Sequence, residues 1–240
     1  MENKILKEII SNKNTEKSKI LARFFKTGKG EYGEGDLFLG ITVPESRKLA
    51  TKYSSTDLLI VKKLIKNKYH EVRLIALLVL VEKYKQAKNN KQLKLKKEIV
   101  DFYLNQTRYI NNWDLVDLSA HYILGDYLTS IKQSSALSLL KKLAKSNNLW
   151  ERRIAIISTF AYIYNGQSKM TMNIVKILLK DSHDLIHKAC GWMLREIGKR
   201  VKESDLISFL DMYSSQMPRT MLRYAIERLT EKTRKYYLNV

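Results

Sequence analysis

Apolar residues recur along the chain at intervals of three and four, the spacing of amphipathic α-helices, and no pair of segments alternates as two half-buried strands would. The two prolines, Pro44 and Pro218, stand where a helix would begin, a position at which the missing N–H costs least. We therefore predict an all-α fold. The predicted helices span residues 2–12, 15–27, 44–53, 56–67, 69–87, 91–105, 112–130, 134–146, 149–165, 169–181, 183–199, 202–213 and 217–230.

These helices pair, and the second helix of each pair carries a basic or polar residue just ahead of an apolar stretch containing Ala. The spacing from Arg153 to Lys188 and from Lys188 to Arg223 is 35 residues. A two-helix unit that repeats about every 35 to 45 residues is typical of an α-solenoid. The spacing predicts one domain over residues 1–240, a solenoid curved into a superhelix with a concave basic face.

Equivalent positions of stacked repeats line one continuous surface. A row of side chains should therefore project from successive second helices, consisting of Arg73, Asp117, Arg153, Lys188 and Arg223. Facing nucleic acid, the four cations would neutralise phosphates. A carboxylate on such a surface repels phosphate, so the presence of Asp117 calls for a functional role that outweighs the lost affinity.

Trp113 and Asp117 share one face of the predicted helix that follows Asn111 and Asn112, two good N-cap residues. Core packing of the indole and a favourable contact of the acid with the helix dipole would also explain this pair. Cleavage of a glycosidic bond gives it a chemical role, because an anion stabilises the oxocarbenium-like sugar and an indole face attracts cations. Trp192, four residues after Lys188, would supply a second indole.

Composition adds a partner to this picture. The chain has 44 Lys and Arg against 24 Asp and Glu, which gives a formal charge of +20. A charge of this size predicts a polyanionic binding partner, and nucleic acid is the foremost candidate. A solubilising or membrane-surface charge and Lys-rich codon usage remain alternatives. One cysteine, Cys190, allows no internal disulfide. With no signal sequence and no apolar run long enough to span a bilayer, a cytoplasmic protein without a membrane partner is predicted.

Two other motifs lead to weaker expectations. A Gly-rich segment at residues 28–36 lacks the Gly-Lys-Ser/Thr ending of a phosphate-binding loop and follows no predicted strand, so we interpret it as a flexible connector. His183 and His187 have the spacing of a zincin helix, but no third ligand is evident. We predict no metal and no cofactor.

Four motifs together resemble the AlkD-like DNA alkylation repair proteins, bacterial DNA glycosylases built from HEAT-like repeats. The resemblance covers about residues 21 to 228. The motifs are Phe-Leu-Gly-Ile at 38–41 with Pro44 and Arg47, Trp-Asp-Leu-Val-Asp at 113–117, Trp-Glu-Arg-Arg at 150–153, and the stretch from Lys188 to Glu196.

The resemblance implies removal of N3- and N7-alkylated purines from duplex DNA without a metal. We expect a monomer, because solenoids of this length are commonly self-sufficient. By this resemblance Asp117 is the catalytic carboxylate, Trp113 and Trp192 pack against the lesion's deoxyribose, and Arg153 contacts DNA. It also implies little or no extrusion of the base.

Arg195, within the fourth motif, and the cations of the projecting row complete the expected DNA contacts. Phe24 either borders the site or packs in the core. The alternative to a glycosylase is a HEAT-like scaffold that binds nucleic acid or protein without chemistry.

Overall fold

The structure is a computed structural model, and it describes residues 1–239. All regular elements in this range are helical, and β-type pairing among these residues is confined to an isolated bridge between Leu37 and Tyr69. The all-α prediction is confirmed. Contacts group the chain into two compact units, Met1–Ser119 and Ala120–Val240. The single domain and the concave basic face stay predictions.

The first unit is built around one long helix whose N-terminal part, from His70 through Val81, is buried on every side. Four helices pack against it, and the two helices at the N-terminus complete the unit. The helices are α1 Glu2–Ser11, α2 Thr15–Phe24, α3 Val43–Lys52, α4 Leu58–Leu64, α5 His70–Asn89, α6 Leu93–Leu104 and α7 Trp113–Asp117.

Local sequence explains where these helices begin. Thr42 and Glu45 form a capping box at the start of α3, with Pro44 in its first turn, as the proline position predicted. Asn112 caps α7 by accepting a hydrogen bond from Trp113 N at 2.8 Å. The N-cap predicted just before Trp113 is thus confirmed.

The second unit consists of shorter helices. Its closest pairing joins the helices Asp184–Arg200 and Arg219–Ile226, where Gly191 allows direct backbone contact, because a Cβ there would lie 2.4 Å from Met221 O. The helices are α8 Asp126–Thr129, α9 Gln133–Ala144, α10 Leu149–Ser158, α11 Phe160–Tyr164, α12 Lys169–Leu178, α13 Asp184–Arg200, α14 Glu203–Tyr213, α15 Arg219–Ile226 and α16 Glu231–Leu238.

The continuous helix predicted over residues 112–130 is interrupted. Helix α7 ends at Asp117, and a π-helical turn at His121–Gly125 precedes α8. The apolar periodicity of this stretch survives the interruption, which is why the pattern concealed it. The break leaves Asp117 in the last turn of a short helix rather than within a long one.

A turn with shared geometry precedes α5, α10 and α13. In each turn a backbone carbonyl accepts a hydrogen bond from the side chain six residues later, and the side chain of the carbonyl residue accepts one from the N–H two residues on. The carbonyl residues and their side-chain donors are Asn67 and Arg73, Ser146 and Arg152, and Asp181 and His187. This recurrence is the structural counterpart of the sequence repeat.

Candidate functional site

Helix α7 places Trp113 and Asp117 on the wall of a cavity of about 470 Å³ within the first unit. Both side chains are half-buried. The other walls come from α2, from residues 38–43 and from the start of α5. The predicted shared face of Trp113 and Asp117 is confirmed, and that face lines a cavity that the sequence did not reveal.

Aromatic rings form much of this cavity. Trp113 stacks on Phe25 with ring centroids 5.0 Å apart and an interplanar angle of 26°, and Phe25 stacks in turn on Phe38 at 5.1 Å and 13°. Phe24 meets Trp113 edge-on at 5.9 Å and is 60% exposed. Phe24 therefore borders the cavity and does not pack in the core, whereas its neighbour Phe25 is buried.

The Gly-rich segment takes part in the site. Trp113 Nε1 donates to the Tyr32 hydroxyl at 3.2 Å, and Asp36 at the end of the segment is buried against His70 and Arg73. Turns within the segment are closed by backbone N–H groups that donate to Glu31 and Glu34 carboxylates. The interpretation of residues 28–36 as a connector missed these contacts, which fix one edge of the indole.

His70 lies beneath the cavity between two carboxylates. Its Nε2 is 2.8 Å from Asp114 Oδ2, and its Nδ1 is 3.3 Å from Asp36 Oδ2. Burial alone would lower the pKa of His70, but the Asp114 and Asp36 carboxylates outweigh burial and raise it to about 9. Arg73 donates to the other oxygen of Asp36 at 2.8 Å, so the Arg73–Asp36 ion pair next to the His70 imidazolium has no net charge.

Stability should fall as the pH rises through the titration of His70. The pKa of about 9 in the folded protein exceeds the ordinary value of 6.5, so the stabilisation is complete below pH 6.5 and is lost towards and above pH 9. The expected loss is about 3 kcal/mol in the free energy of unfolding. Urea titrations from pH 6 to 9.5 measure the loss, and an NMR titration of the His70 imidazole measures its pKa. A midpoint near 6.5 would refute the proposed ion network.

Glu71 holds the wall formed by residues 38–41. Its buried carboxylate accepts three backbone N–H groups, from Leu39 at 2.8 Å, Gly40 at 2.7 Å and Ile41 at 3.2 Å. Gly40 has a positive φ of 85°, and a Cβ there would lie 2.1 Å from Asn14 O. The Phe-Leu-Gly-Ile motif at residues 38–41 therefore forms a loop whose backbone N–H groups bind the carboxylate of Glu71.

The remaining predicted site residues, except Arg73, lie in the second unit. Trp192 is half-buried and meets Phe160 at a centroid distance of 5.6 Å. Arg195 is ion-paired with Glu227. Lys188 pairs with Asp184 at 2.7 Å with its side chain 41% exposed, and Arg223 is exposed. The pairing of Trp192 with Trp113 stays a prediction.

The projecting row is wrong at Arg73 and Arg153. Arg73 is 4% exposed, and its Nη1 donates to the carbonyl of Asn67 at 2.9 Å. Arg153 is 5% exposed, and its Nη1 donates to Leu185 O at 2.5 Å. Both side chains therefore lie beneath the surface, where neither points to solvent.

The hydrogen bonds in the three turns before α5, α10 and α13 define which residues are equivalent between repeats, and this register differs by one residue from the one predicted from the sequence. Arg73 corresponds to Arg152 and His187, each of which binds a carbonyl six residues earlier. Asp117 stands six residues after Asn111 and has the same place in sequence. The row therefore shifts by one residue, from Arg153 to Arg152 and from Lys188 to His187. His183, whose Nδ1 accepts from Leu185 N, caps α13.

Within residues 1–239, His, Cys, Asp and Glu side chains form no group of three or more that would hold a metal ion. Cys190 is buried in α13, and burial raises the pKa of its thiol. Each helix in the same range is too short or too polar to cross a membrane.

A family model described as DNA alkylation repair enzyme matches residues 5–229 of the 240. The chain belongs to the DNA alkylation repair enzyme family. This family member is similar to a solved structure described as a predicted DNA alkylation repair enzyme from Enterococcus faecalis, with a TM-score of 0.66 and 15% identity over 91% of this chain and 97% of that one.

A second solved structure, AlkD2 from Streptococcus mutans, has a TM-score of 0.56 and 19% identity over 90% of this repair-family chain and 99% of its own. At these identities the likeness shows a common fold. A search of curated proteins finds no match. The resemblance read from the four motifs is confirmed at the level of the family.

Sequence reasoning missed His70, Glu71 and Asp36 as parts of the site. His70 directly precedes Glu71, and the two residues begin a helix whose N-terminal part is buried on every side. Two consecutive ionisable residues shortly before Arg73, in an otherwise apolar helix start, were the available signal. Such groups are rarely buried unless they are paired.

Proposed function

We propose that this protein is a monofunctional DNA glycosylase that hydrolyses the N-glycosidic bond of positively charged alkylated purines, 3-methyladenine and 7-methylguanine, in duplex DNA. The observation that carries the proposal is the position of Asp117 beside Trp113 on the wall of an aromatic cavity. Membership of a DNA alkylation repair family supports a DNA substrate and an enzymatic role.

The proposed reaction needs little from the protein because the lesion is already activated. As the bond from C1′ to the base nitrogen breaks, its electron pair goes to the base and neutralises the positive charge there. The deoxyribose becomes oxocarbenium-like, and the Asp117 carboxylate stabilises this charge. Water then adds to C1′, and its proton passes to Asp117 or to solvent. The products are a neutral methylated base and an abasic site.

Trp113 is proposed to pack against the lesion's sugar, where its ring face attracts the developing cation. Its orientation is fixed on both sides, by stacking on Phe25 at 5.0 Å and by the hydrogen bond to the Tyr32 hydroxyl at 3.2 Å. A fixed ring stabilises the transition state without a cost of reorganisation. Trp192 is proposed to supply the second indole, as the resemblance implies.

Base release from a methylated duplex tests this function. The wild-type protein should release 7-methylguanine or 3-methyladenine and leave abasic sites that alkali cleaves, while an unmodified duplex stays intact. Release is measured by chromatography of the free bases. A protein that binds the duplex and releases no base would be the non-catalytic scaffold, and one that ignores DNA would be a scaffold for another partner.

DNA affinity should fall steeply with salt, because the net charge of +20 implies that bound phosphates replace counterions. Arg223 is exposed and stays among the proposed phosphate contacts. Arg223→Ala is expected to reduce the slope of log affinity against log salt by about one, and Arg223→Lys, which keeps the charge, should preserve it. Fluorescence anisotropy with a labelled duplex measures the slope. A flat salt response would remove the phosphate contacts.

A further inference from the structure

We propose that Lys66, Lys68 and Arg108 form a phosphate-binding patch that holds the DNA backbone near the lesion. The patch lies in the first unit, where the turns that precede α5 and α7 meet. We call it the Tyr109 patch, after the ring that joins the two turns. This patch rests on the proposed function in taking DNA as its ligand, and it deepens that function by adding a backbone contact that neither the sequence repeat nor the four motifs indicated.

The Tyr109 ring holds cations from both turns. Lys66 Nζ lies 5.5 Å from the ring centroid, and Arg108 Cζ lies 4.5 Å from it. Arg108 Nη2 also donates to the Tyr109 hydroxyl at 2.5 Å, so this residue fixes the position of the guanidinium. Lys68 Nζ lies 5.3 Å from the centroid of the Tyr69 ring. Aromatic faces attract cations, so the three charges are held in place without being neutralised.

Among residues 1–239, Lys66, Lys68 and Arg108 form no ion pair with a carboxylate. The segments around them, residues 58–70 and 102–113, contain no Asp or Glu. Cations gathered on adjoining turns repel one another. An external anion would offset this repulsion, because the protein supplies no acid beside them. The Tyr109 patch is therefore suited to an anionic ligand.

The arrangement of the three cations suits a DNA backbone better than a single small anion. All three side chains belong to exposed residues, and they come from two turns, so their charges are spread over the surface. One DNA strand carries a negative charge about every 3.4 Å along the helix axis, and neighbouring phosphates can each meet one of these cations. The Arg108 guanidinium can bind a phosphate through two N–H groups, whereas the lysines act as point charges.

Chain connectivity places the Tyr109 patch close to the proposed reaction. Tyr109 precedes Trp113 by four residues, so their Cα atoms are at most about 15 Å apart. At a rise of about 3.4 Å per base pair, this distance corresponds to about four base pairs. With Trp113 packed against the lesion's sugar, the Tyr109 patch meets the backbone a few phosphates away.

The salt dependence of DNA binding tests the patch. The double variant Lys66→Gln/Arg108→Gln should bind a duplex about tenfold more weakly at low salt, and its slope of log affinity against log salt should be smaller by about two. The loss should be the same for methylated and unmodified duplexes, because phosphate contacts carry no base information. Lys66→Arg/Arg108→Lys keeps both charges and should preserve the slope. Fluorescence anisotropy with the full-length protein measures these quantities.

Lys141→Gln/Lys142→Gln is the matched control for the loss of charge. Both lysines are exposed on α9, and their substitution lowers the net charge by the same amount. The slope of this control should equal that of the wild type. An equal loss of slope in the two double variants would mean that net charge alone governs binding, and it would overturn the patch. Circular dichroism verifies that all variants fold.

A scan with neutral methylphosphonate linkages locates the contacted phosphates. The duplex carries 7-methylguanine on a 2′-fluorinated sugar, which resists cleavage, and one linkage at a time is made neutral. Wild-type protein should lose affinity at two or three linkages within about six base pairs of the lesion. Lys66→Gln/Arg108→Gln should be less sensitive at those same linkages, because the cations that met them are gone. Equal sensitivity of wild type and variant at every linkage would refute the contact.

The patch and the proposed reaction fail in different ways. Base release by the wild type, together with an unchanged salt slope in Lys66→Gln/Arg108→Gln, would retain the glycosylase and reject the patch. A reduced slope in this variant of a protein that releases no base would retain the patch and reject the reaction.

Discussion

Asp117→Asn is expected to lower the rate of base release from 7-methylguanine DNA by about a hundredfold or more, the usual cost of losing a positioned charge or base. The amide has nearly the same shape but cannot stabilise a cation or accept the proton of the attacking water. DNA affinity should stay the same or rise slightly, because a carboxylate that repels phosphate is removed. Single-turnover release and anisotropy measure the two effects separately.

Asp101→Asn is the matched control for that loss. Asp101 is exposed on α6, pairs with Lys97 at 2.6 Å and does not line the cavity. Its substitution should leave the release rate unchanged. If Asp117→Asn released base at the wild-type rate, the carboxylate would have no part in the reaction, whatever the activity of the wild type.

Glu71→Ala is expected to lower the free energy of unfolding by about 3 to 5 kcal/mol, because three buried N–H groups lose a charged acceptor and a cavity replaces the side chain. The loss is a large part of the stability of an ordinary domain, about 5 to 15 kcal/mol. Urea unfolding followed by circular dichroism measures it. The wall at residues 38–41 depends on these bonds.

Glu82→Ala serves as the comparison for Glu71. Glu82 pairs with Lys85 at 2.8 Å near the surface of the same helix. Exposed pairs of this kind contribute about 0 to 1 kcal/mol. If Glu71→Ala lowered the free energy of unfolding no more than Glu82→Ala does, the Glu71 carboxylate would not hold residues 38–41 in place.

Local signals were enough for several helix starts and for the shared face of Trp113 and Asp117. Helix starts at Thr42 and Asn112 follow from caps whose partners lie within three residues. The placement of Trp113 and Asp117 on one face followed from their spacing of four residues, since helical geometry alone sets that relation. These features depend on neighbours in sequence, so the sequence contained them.

The direction of Arg73 shows where local pattern fails. A helix with a polar stripe reveals its outward face, but α5 is buried on all sides from His70 to Val81 and offers no such stripe. Periodicity therefore could not distinguish an inward arginine from an outward one. Burial of Arg73 is tolerable because the Asn67 carbonyl and the carboxylate of Asp36, which is 37 residues away in sequence, accept its hydrogen bonds.

The sequence by itself determined an all-helical protein with a two-helix repeat, a strong positive charge and an indole one helical turn from a carboxylate. Tertiary structure alone decided that this pair lines an aromatic cavity, that His70 is buried between Asp36 and Asp114, and that Glu71 binds residues 39–41. The physical reason is the separation in sequence between the residues that interact. Caps and helix faces arise between residues a few positions apart, whereas burial and ion pairing across more than 30 residues exist only after the helices have packed.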